Sequence, residues 1–469
     1  MTHRIRQQIL ELELPREAGA VALQQRAGRV FQEQVLPRLE EVFNRIAPAG
    51  KVVRIERLEL DLGDISETHW ERDFVEKCVA EISRQVAETA FEVGNDELVK
   101  TCGEAENAVE LLLFFLENGF LPWYGKGMQL SVLEDLLLDK LPTPNGFFRQ
   151  EIRRILREKP GAMERLFRQF RAAFAENILA AALDFSAEQM GRVMEALNRD
   201  AGFSTDVAQR VLIFKQMLAT SPEKRKNMPE EPLLVRQWLA ETGVKTPGLP
   251  PSQKNNPPAA SSAPTPVKAG KEEAPSAGRL SRKEDHQEKT PASGATAPRL
   301  PHEGLPVELA GLVLLGPYLP AFFTKAGLQP GGDPEDIESV YRAIHLLHYL
   351  ATGTGRAEEP VLLLPKILLG VSPDTSVPQD AGLLEEEKQA AERLLEAVIR
   401  NWPALKNTRP GGLRSAFLQR QGWLSWEEQR GAWLLRVERL GQDVLLEKIS
   451  WSYSVIKLPW MKEMLQVEW

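Results

Sequence analysis

Leu58-Glu59-Leu60-Asp61-Leu62, closed by Gly63, repeats the pattern of Leu10-Glu11-Leu12-Glu13-Leu14, closed by Pro15. Alternation of leucine with acid is the period of a strand with one dry face and one wet, acidic face. The second strand is expected over residues 54–62. Between the two phrases, Val35, Leu39, Val42, Phe43 and Ile46 recur at helical spacings, and Pro37 is expected to kink or split that helix. From about Trp70, the residues Phe74, Cys78, Ile82 and Val86 line one side of another helix. The opening therefore reads as a β-α-β-α unit over residues 1–100. Parallel pairing through the crossover helix is its natural topology. Two strands alone are marginal, so further strands are expected from elsewhere in the chain or from a partner.

Outward from this unit the text turns helical over 101–244. Apolar spacing predicts helices over 104–118, 131–140, 147–158, 162–182, 186–198, 204–219 and 231–242, with Ser131 and Ser186 placed as N-caps. Residues 245–303 are rich in Pro, Ala and Ser and hold no aromatic residue. They bury too little to offset a backbone ordering cost of about 1–2 kcal/mol per residue, so a disordered linker is expected there. Over 304–469, a helical run is predicted at 309–323, broken by Pro317 and Pro320, and helices at 334–351 and 382–401. Strands follow at 432–437, 444–446, 451–458 and 465–469, in a small mixed or antiparallel sheet. Leu465, Val467 and Trp469 are expected on one buried face. The class is α+β, predominantly helical.

The 469 residues exceed one ordinary domain, and the net charge of −8 comes with no basic block. A dedicated nucleic-acid binder needs clustered Lys and Arg, so no nucleic acid is expected as partner. Cys78 and Cys102 have no Cys-x-x-Cys spacing, which fits a reducing compartment. No signal-peptide pattern opens the sequence. The apolar run Leu111 to Leu116 is far short of the roughly 20 residues of a membrane span. The product is expected to be cytoplasmic when made.

No catalytic constellation stands out. His345 and His348 at i, i+3 have no third ligand at a telling spacing, and read as polar groups on a packed helix. The stretch from Gly119 to Gly125-Lys126-Gly127 has five residues between its glycines and no hydroxyl after the lysine, so it is not a phosphate loop. No cofactor and no metal are expected. The tryptophans say more: seven of them, Trp402, Trp423, Trp426, Trp433, Trp451, Trp460 and Trp469, crowd residues 402–469. Most read as core. As partner-binding residues we single out Trp123, Trp451, Trp460 and Trp469, because tryptophan is enriched at interface hot spots. Trp460, between Pro459 and Met461, is expected on an exposed bend.

Several phrases in collinear order carry a family resemblance. They are His3 to Pro15, Arg54 to Gly63, Gly119 to Trp123, Ala310 to Pro320, Leu347 to Gly353, Leu364 to Gly370, Leu413 to Gly422 and the final tryptophan-rich stretch. Together they resemble the tape measure proteins of contractile injection systems, the phage-tail-like particles of bacteria. One departure is Gly316, where the resemblance implies a bulky residue, often Trp, before the proline.

The resemblance implies a structural protein that sets the length of inner tube and sheath, and not an enzyme. The implied partners are the inner tube protein, the baseplate hub or spike, and the tube terminator or ATPase of the particle, with room for several copies in each. The chain would lie within the assembled particle. Two other readings stay open at this point: an assembly adaptor that bridges the same components without measuring, and an unrecognised enzyme. In the ruler reading, folded ends anchor and 245–303 spaces them. About 60 residues of polyproline II would cover about 180 Å.

Overall fold

The structure, a computed structural model, describes residues 3–6, 8–13, 20–46, 50–66, 68–91, 99–140, 146–199, 207–221, 304–330, 336–405 and 407–469. The predicted helix 231–242 and the linker 245–303 lie outside the described residues. Three apolar clusters organise the rest, one in each stretch of sequence.

In the opening unit, α1 (Ala20–Val30) passes through a π-turn (Phe31–Val35) into α2 (Leu36–Ile46). Pro37 neither splits nor ends this helix. Its missing N–H falls beside the widened π-turn, where the regular bonding pattern is already broken. Two antiparallel strands follow in an order different from the expected one. β1 (Lys51–Ile55) pairs with β2 (Val99–Gly103), Lys51 opposite Gly103 and Ile55 opposite Val99. Between them lies α3 (Trp70–Phe91).

The parallel pairing of the two leucine–acid phrases is thus corrected. Residues 10–13 and 56–62 join no ladder. Leu58, Leu60 and Leu62 turn a half-buried face onto the cluster of Phe74, Cys78 and Ile82 on α3. Side chains of that helix then satisfy part of the backbone: Gln85 Nε2 donates to the Glu59 carbonyl at 3.0 Å, and Lys77 Nζ to those of Leu62 and Asp64. Alternation reports one dry face; a helix supplies it as well as a sheet does.

The middle block runs α4 (Glu104–Asn118), α5 (Leu130–Lys140), α6 (Gly146–Glu158), α7 (Ala162–Gln169), α8 (Ala172–Leu183), α9 (Ala187–Arg199) and α10 (Val207–Ala219). The single helix expected over 162–182 is two. Phe170 is extended between them and packs its ring against Phe115 and Phe174. Ser186 caps α9 through a reciprocal box, accepting from Gln189 N at 3.1 Å while Gln189 Oε1 accepts from Ser186 N at 2.8 Å. Ser131 lies inside α5 instead of capping it. The free N–H of Leu130 donates to the Glu358 carboxylate at 2.8 Å, so that cap comes from the far side of the chain.

The C-terminal block holds five strands in the order β3-β4-β5-β7-β6. They are β3 (Leu305–Val307), β4 (Gly422–Glu427), β5 (Ala432–Val437), β6 (Val455–Ile456) and β7 (Leu465–Glu468). β7 runs parallel to β5 and antiparallel to β6. Two expectations are corrected here: 444–446 belongs to a 3₁₀ helix (Gly441–Lys448), and of 451–458 only Val455–Ile456 is strand. Leu465 and Val467 do face the core, and Trp469 packs half-buried against it.

Helices of this block are α11 (Leu319–Ala326), α12 (Ile337–Thr352), α13 (Leu363–Leu368), α14 (Glu385–Asn401) and the short α15 (Pro410–Leu413). The helical run expected over 309–323 with breaks at Pro317 and Pro320 is a 3₁₀ helix over Ala310–Tyr318, with Pro317 inside, followed by α11, whose first turn holds Pro320. Gly311 there leaves no room for a side chain, since a Cβ would lie 1.8 Å from the Phe417 carbonyl oxygen. Gly316, the departure from the family pattern, lets Ile456 of β6 close in: a Cβ would meet its Cδ1 at 2.9 Å.

Candidate functional site

Where the middle and C-terminal blocks meet, apolar residues of α7 give way to charge. Ala162, Arg165, Leu166 and Gln169 share one buried stripe at helical spacing. Arg165 is completely buried. Its Nε donates to Glu359 Oε1 at 3.1 Å and its NH1 to the carbonyls of Leu116 at 2.9 Å and Glu117 at 3.3 Å; NH2 donates to the Asp374 carbonyl. The Leu116 and Glu117 carbonyls belong to the last turn of α4, where backbone acceptors are left over and a cation is favoured. Lys366 of α13 donates to the same Glu359 oxygen at 2.8 Å and to the Pro373 carbonyl at 3.1 Å. Burial pulls the Lys366 ammonium below its ordinary pKa, and Glu359 opposes that pull.

The loop 373–379 is gripped like a comb. Arg168 donates to the Ser376 carbonyl at 2.8 Å and Gln169 to that of Val377 at 2.7 Å. From the other side His345 Nε2 bonds the Pro378 carbonyl at 2.8 Å. Gly119 permits the approach: its φ of +82° ends α4, and a Cβ there would lie 2.7 Å from Glu359 Oε1.

The opening unit docks on the same turn. Arg54 of β1 stacks 3.6 Å from the Tyr124 ring and pairs with Glu110 at 2.7 Å and with Asn107. Arg4 donates to the Tyr124 carbonyl, His3 bonds Asn44 at 2.9 Å, and Arg6 lies 6.0 Å from the Trp423 ring. All three blocks therefore converge on residues 119–127. A cleft of about 1080 Å³ opens beside this junction between the middle and C-terminal blocks, and a smaller hollow of about 430 Å³ adjoins it.

The residues singled out from sequence take distinct places. Trp451 donates its indole N–H to the Leu314 carbonyl at 2.9 Å, Trp460 to that of Leu368 at 2.8 Å, and Trp469 to Asp443 at 3.0 Å. Each is half-buried against the C-terminal core. Trp123 sits on the junction turn, edge-on to Tyr124 at 5.9 Å, and lines the smaller hollow. Among the described residues its N–H finds no acceptor. The four are not brought together into one site.

His345 and His348 are buried on α12 as bonds to loops, the latter to the Thr354 carbonyl at 3.0 Å. Burial raises the Cys78 thiol to about 11, and raises Cys102 as well. Arg165, Glu359 and Lys366 were not marked by the sequence reading. Their signal was a charge inside an apolar stripe.

Arginine side chains and backbone carbonyls join the three blocks, while the tryptophan bonds close the C-terminal one. The chain belongs to the contractile injection system tape measure protein family, whose model matches residues 2–469. That family is structural, and the protein is accordingly a tape measure of such a particle and not an enzyme. No curated protein and no solved structure shows a match. No helix among the described residues is long and apolar enough to cross a membrane.

Proposed function

We propose that this chain sets particle length as a folded body, and not through the reach of 245–303. The carrying observation is the buried Arg165–Glu359–Lys366 joint. It fixes the middle block to the C-terminal block, so the chain that connects them cannot alter their separation. A span of about 180 Å from that segment would require the joint to open.

In this reading the inner tube protein, the baseplate hub or spike, and the terminator or ATPase grip outer faces of the body, within the assembled particle. Trp123 is the foremost contact, because its indole N–H is unspent. Trp451, Trp460 and Trp469 offer half-buried ring faces whose polar ends are already committed inside the chain. The joint equally supports an adaptor that bridges these components without counting.

Duplicating residues 245–303 in the native gene tests the reading. Particles of unchanged, uniform length are expected, whereas particles lengthened in step with the insertion would return the ruler to that segment. Deleting the gene separates measure from adaptor: tubes of scattered length mark a measure, and no tubes at all mark an adaptor.

A further inference from the structure

The smaller hollow, where residues 3–6 meet the turn 123–127 and the β3–β4 end of the C-terminal sheet, gathers charge of one sign. Arg4, Arg6 and Lys126 line it against the single carboxylate of Glu308, three permanent cations to one acid. His3 adds a fourth basic side chain. Arg4 spends one N–H on the neutral Tyr124 carbonyl. Lys126 makes neither a hydrogen bond nor an ion pair among the described residues, and its ammonium stands 5.9 Å from the Trp423 ring. Arg6 lies 6.0 Å from the same ring. These two like charges repel each other, and an indole face offsets only about 0.5–1 kcal/mol at an exposed site.

Donors are in surplus as well. Neither Trp123 nor Trp423 finds an acceptor for its indole N–H among the described residues. Gln421 Oε1 is buried without a donor, and turning that amide over would put Nε2 in its place. Glu308 answers little of this. It is half-buried, and burial pushes its carboxyl above the usual range, an effect that Lys126 opposes and Glu358 strengthens. A basic, donor-rich hollow repels a metal ion or an incoming lysine or arginine, and favours an acceptor that carries negative charge. Apolar surface lies beside the charge: Ile5 is 49% exposed, and both tryptophans are half-buried. The chemistry that fits is a carboxylate set among apolar residues, and not a bare phosphate.

We propose that this hollow receives an aspartate or glutamate side chain, flanked by apolar residues, from another component of the particle. Lys126 supplies the ion pair, the indole N–H groups of Trp123 and Trp423 the neutral donors, and Ile5 the apolar wall. This occupant deepens the reading of Trp123 as a contact and rests on it. It is independent of what sets particle length, which the duplication of 245–303 tests separately.

The full chain is titrated with capped tripeptides in which aspartate, asparagine or lysine stands between two leucines, followed by calorimetry and tryptophan fluorescence. The aspartate peptide should bind saturably and the lysine peptide not at all. The asparagine peptide should bind at least about tenfold more weakly, as loss of one charge-assisted bond implies. Lys126→Gln should weaken the aspartate peptide about tenfold, whereas the exposed Lys325→Gln should leave it unchanged. Glu308→Gln should tighten it at least about threefold, because a competing like charge is removed. A variant that had lost its fold would not bind more tightly, so this arm keeps site and stability apart. No saturable binding, equal binding of the aspartate and asparagine peptides, or an unchanged or weakened affinity in Glu308→Gln overturns the site. Inorganic phosphate competing at the same concentration as the peptide would show a hollow for any anion, and would equally overturn the peptide partner.

Discussion

Arg165 and Glu359, separated by 194 positions in sequence, meet at 3.1 Å with neither side chain exposed to solvent. This pair sits between two blocks that keep largely separate hydrophobic clusters, with Phe120 of the middle stretch buried in the C-terminal cluster and Phe114 packed against it. A buried ion pair adds little over well-packed hydrophobes, but it tolerates no half-measures, because removing one partner strands the other. Such a joint specifies one geometry.

Replacing Arg165 with Met should therefore destabilise the chain by about 3–5 kcal/mol. It removes every donor to the Leu116, Glu117 and Asp374 carbonyls named above and leaves Glu359 with Lys366 alone. Chemical denaturation of the full chain measures the loss. A change below about 1 kcal/mol, the scale of a surface pair, would mean that the joint is wet.

A protease site introduced within 245–303 and cut should leave the two halves together. The contacts of α7 with Glu359 and with the loop 373–379 do not depend on that connection. Size-exclusion chromatography of the nicked protein should give one peak at the intact elution volume, and the same cut in Arg165→Met should give two.

How much of this was legible depends on what each residue type reports. Helices came through because spacing is local: Glu104–Asn118 and Ile337–Thr352 stand within a few residues of their predicted bounds. The second leucine–acid phrase reported a dry face correctly but not its partner, which is α3, whereas Leu12 of the first phrase is exposed. Strands β3 and β4 were missed: one is a three-residue edge containing Pro306, the other mixes Gly422, Ser425 and two tryptophans without alternation. The joint was half-visible. Arg165 and Gln169 occupy core positions of α7, but their acceptors are mostly backbone carbonyls, which carry no sequence signature.

Acid should loosen the C-terminal block through α12. Burial lowers His345, and lowers His348 to about 4 from an ordinary 6.5. Both are neutral when folded, so the unfolded chain binds protons first as pH falls. Stability is then full above pH 6.5 and declines toward pH 4, below which His348 contributes no further loss. His348 alone accounts for about 3 kcal/mol at most, at 1.36 kcal/mol per unit. Melting temperatures between pH 7 and pH 4 should fall more steeply for wild type than for His348→Gln. Parallel curves would assign the acid sensitivity to other groups.

Deleting residues 464–469 should unfold the C-terminal sheet instead of trimming it. β7 is not an edge: it lies between β5 and β6, pairing Leu465 with Trp433 on one side and with Ile456 on the other. Its loss strands β6 and opens the flank of β5, where Trp433, Leu434 and Leu435 are buried. It also removes Trp469, whose indole bonds Asp443 while Arg420, itself buried and paired with Asp443, lies 5.7 Å from the ring. An apolar strand flank of that kind recruits other chains. The truncated protein should melt well below the full chain and elute as oligomers or aggregate. A monomer with an unchanged melting temperature would show that the block closes without its central parallel strand.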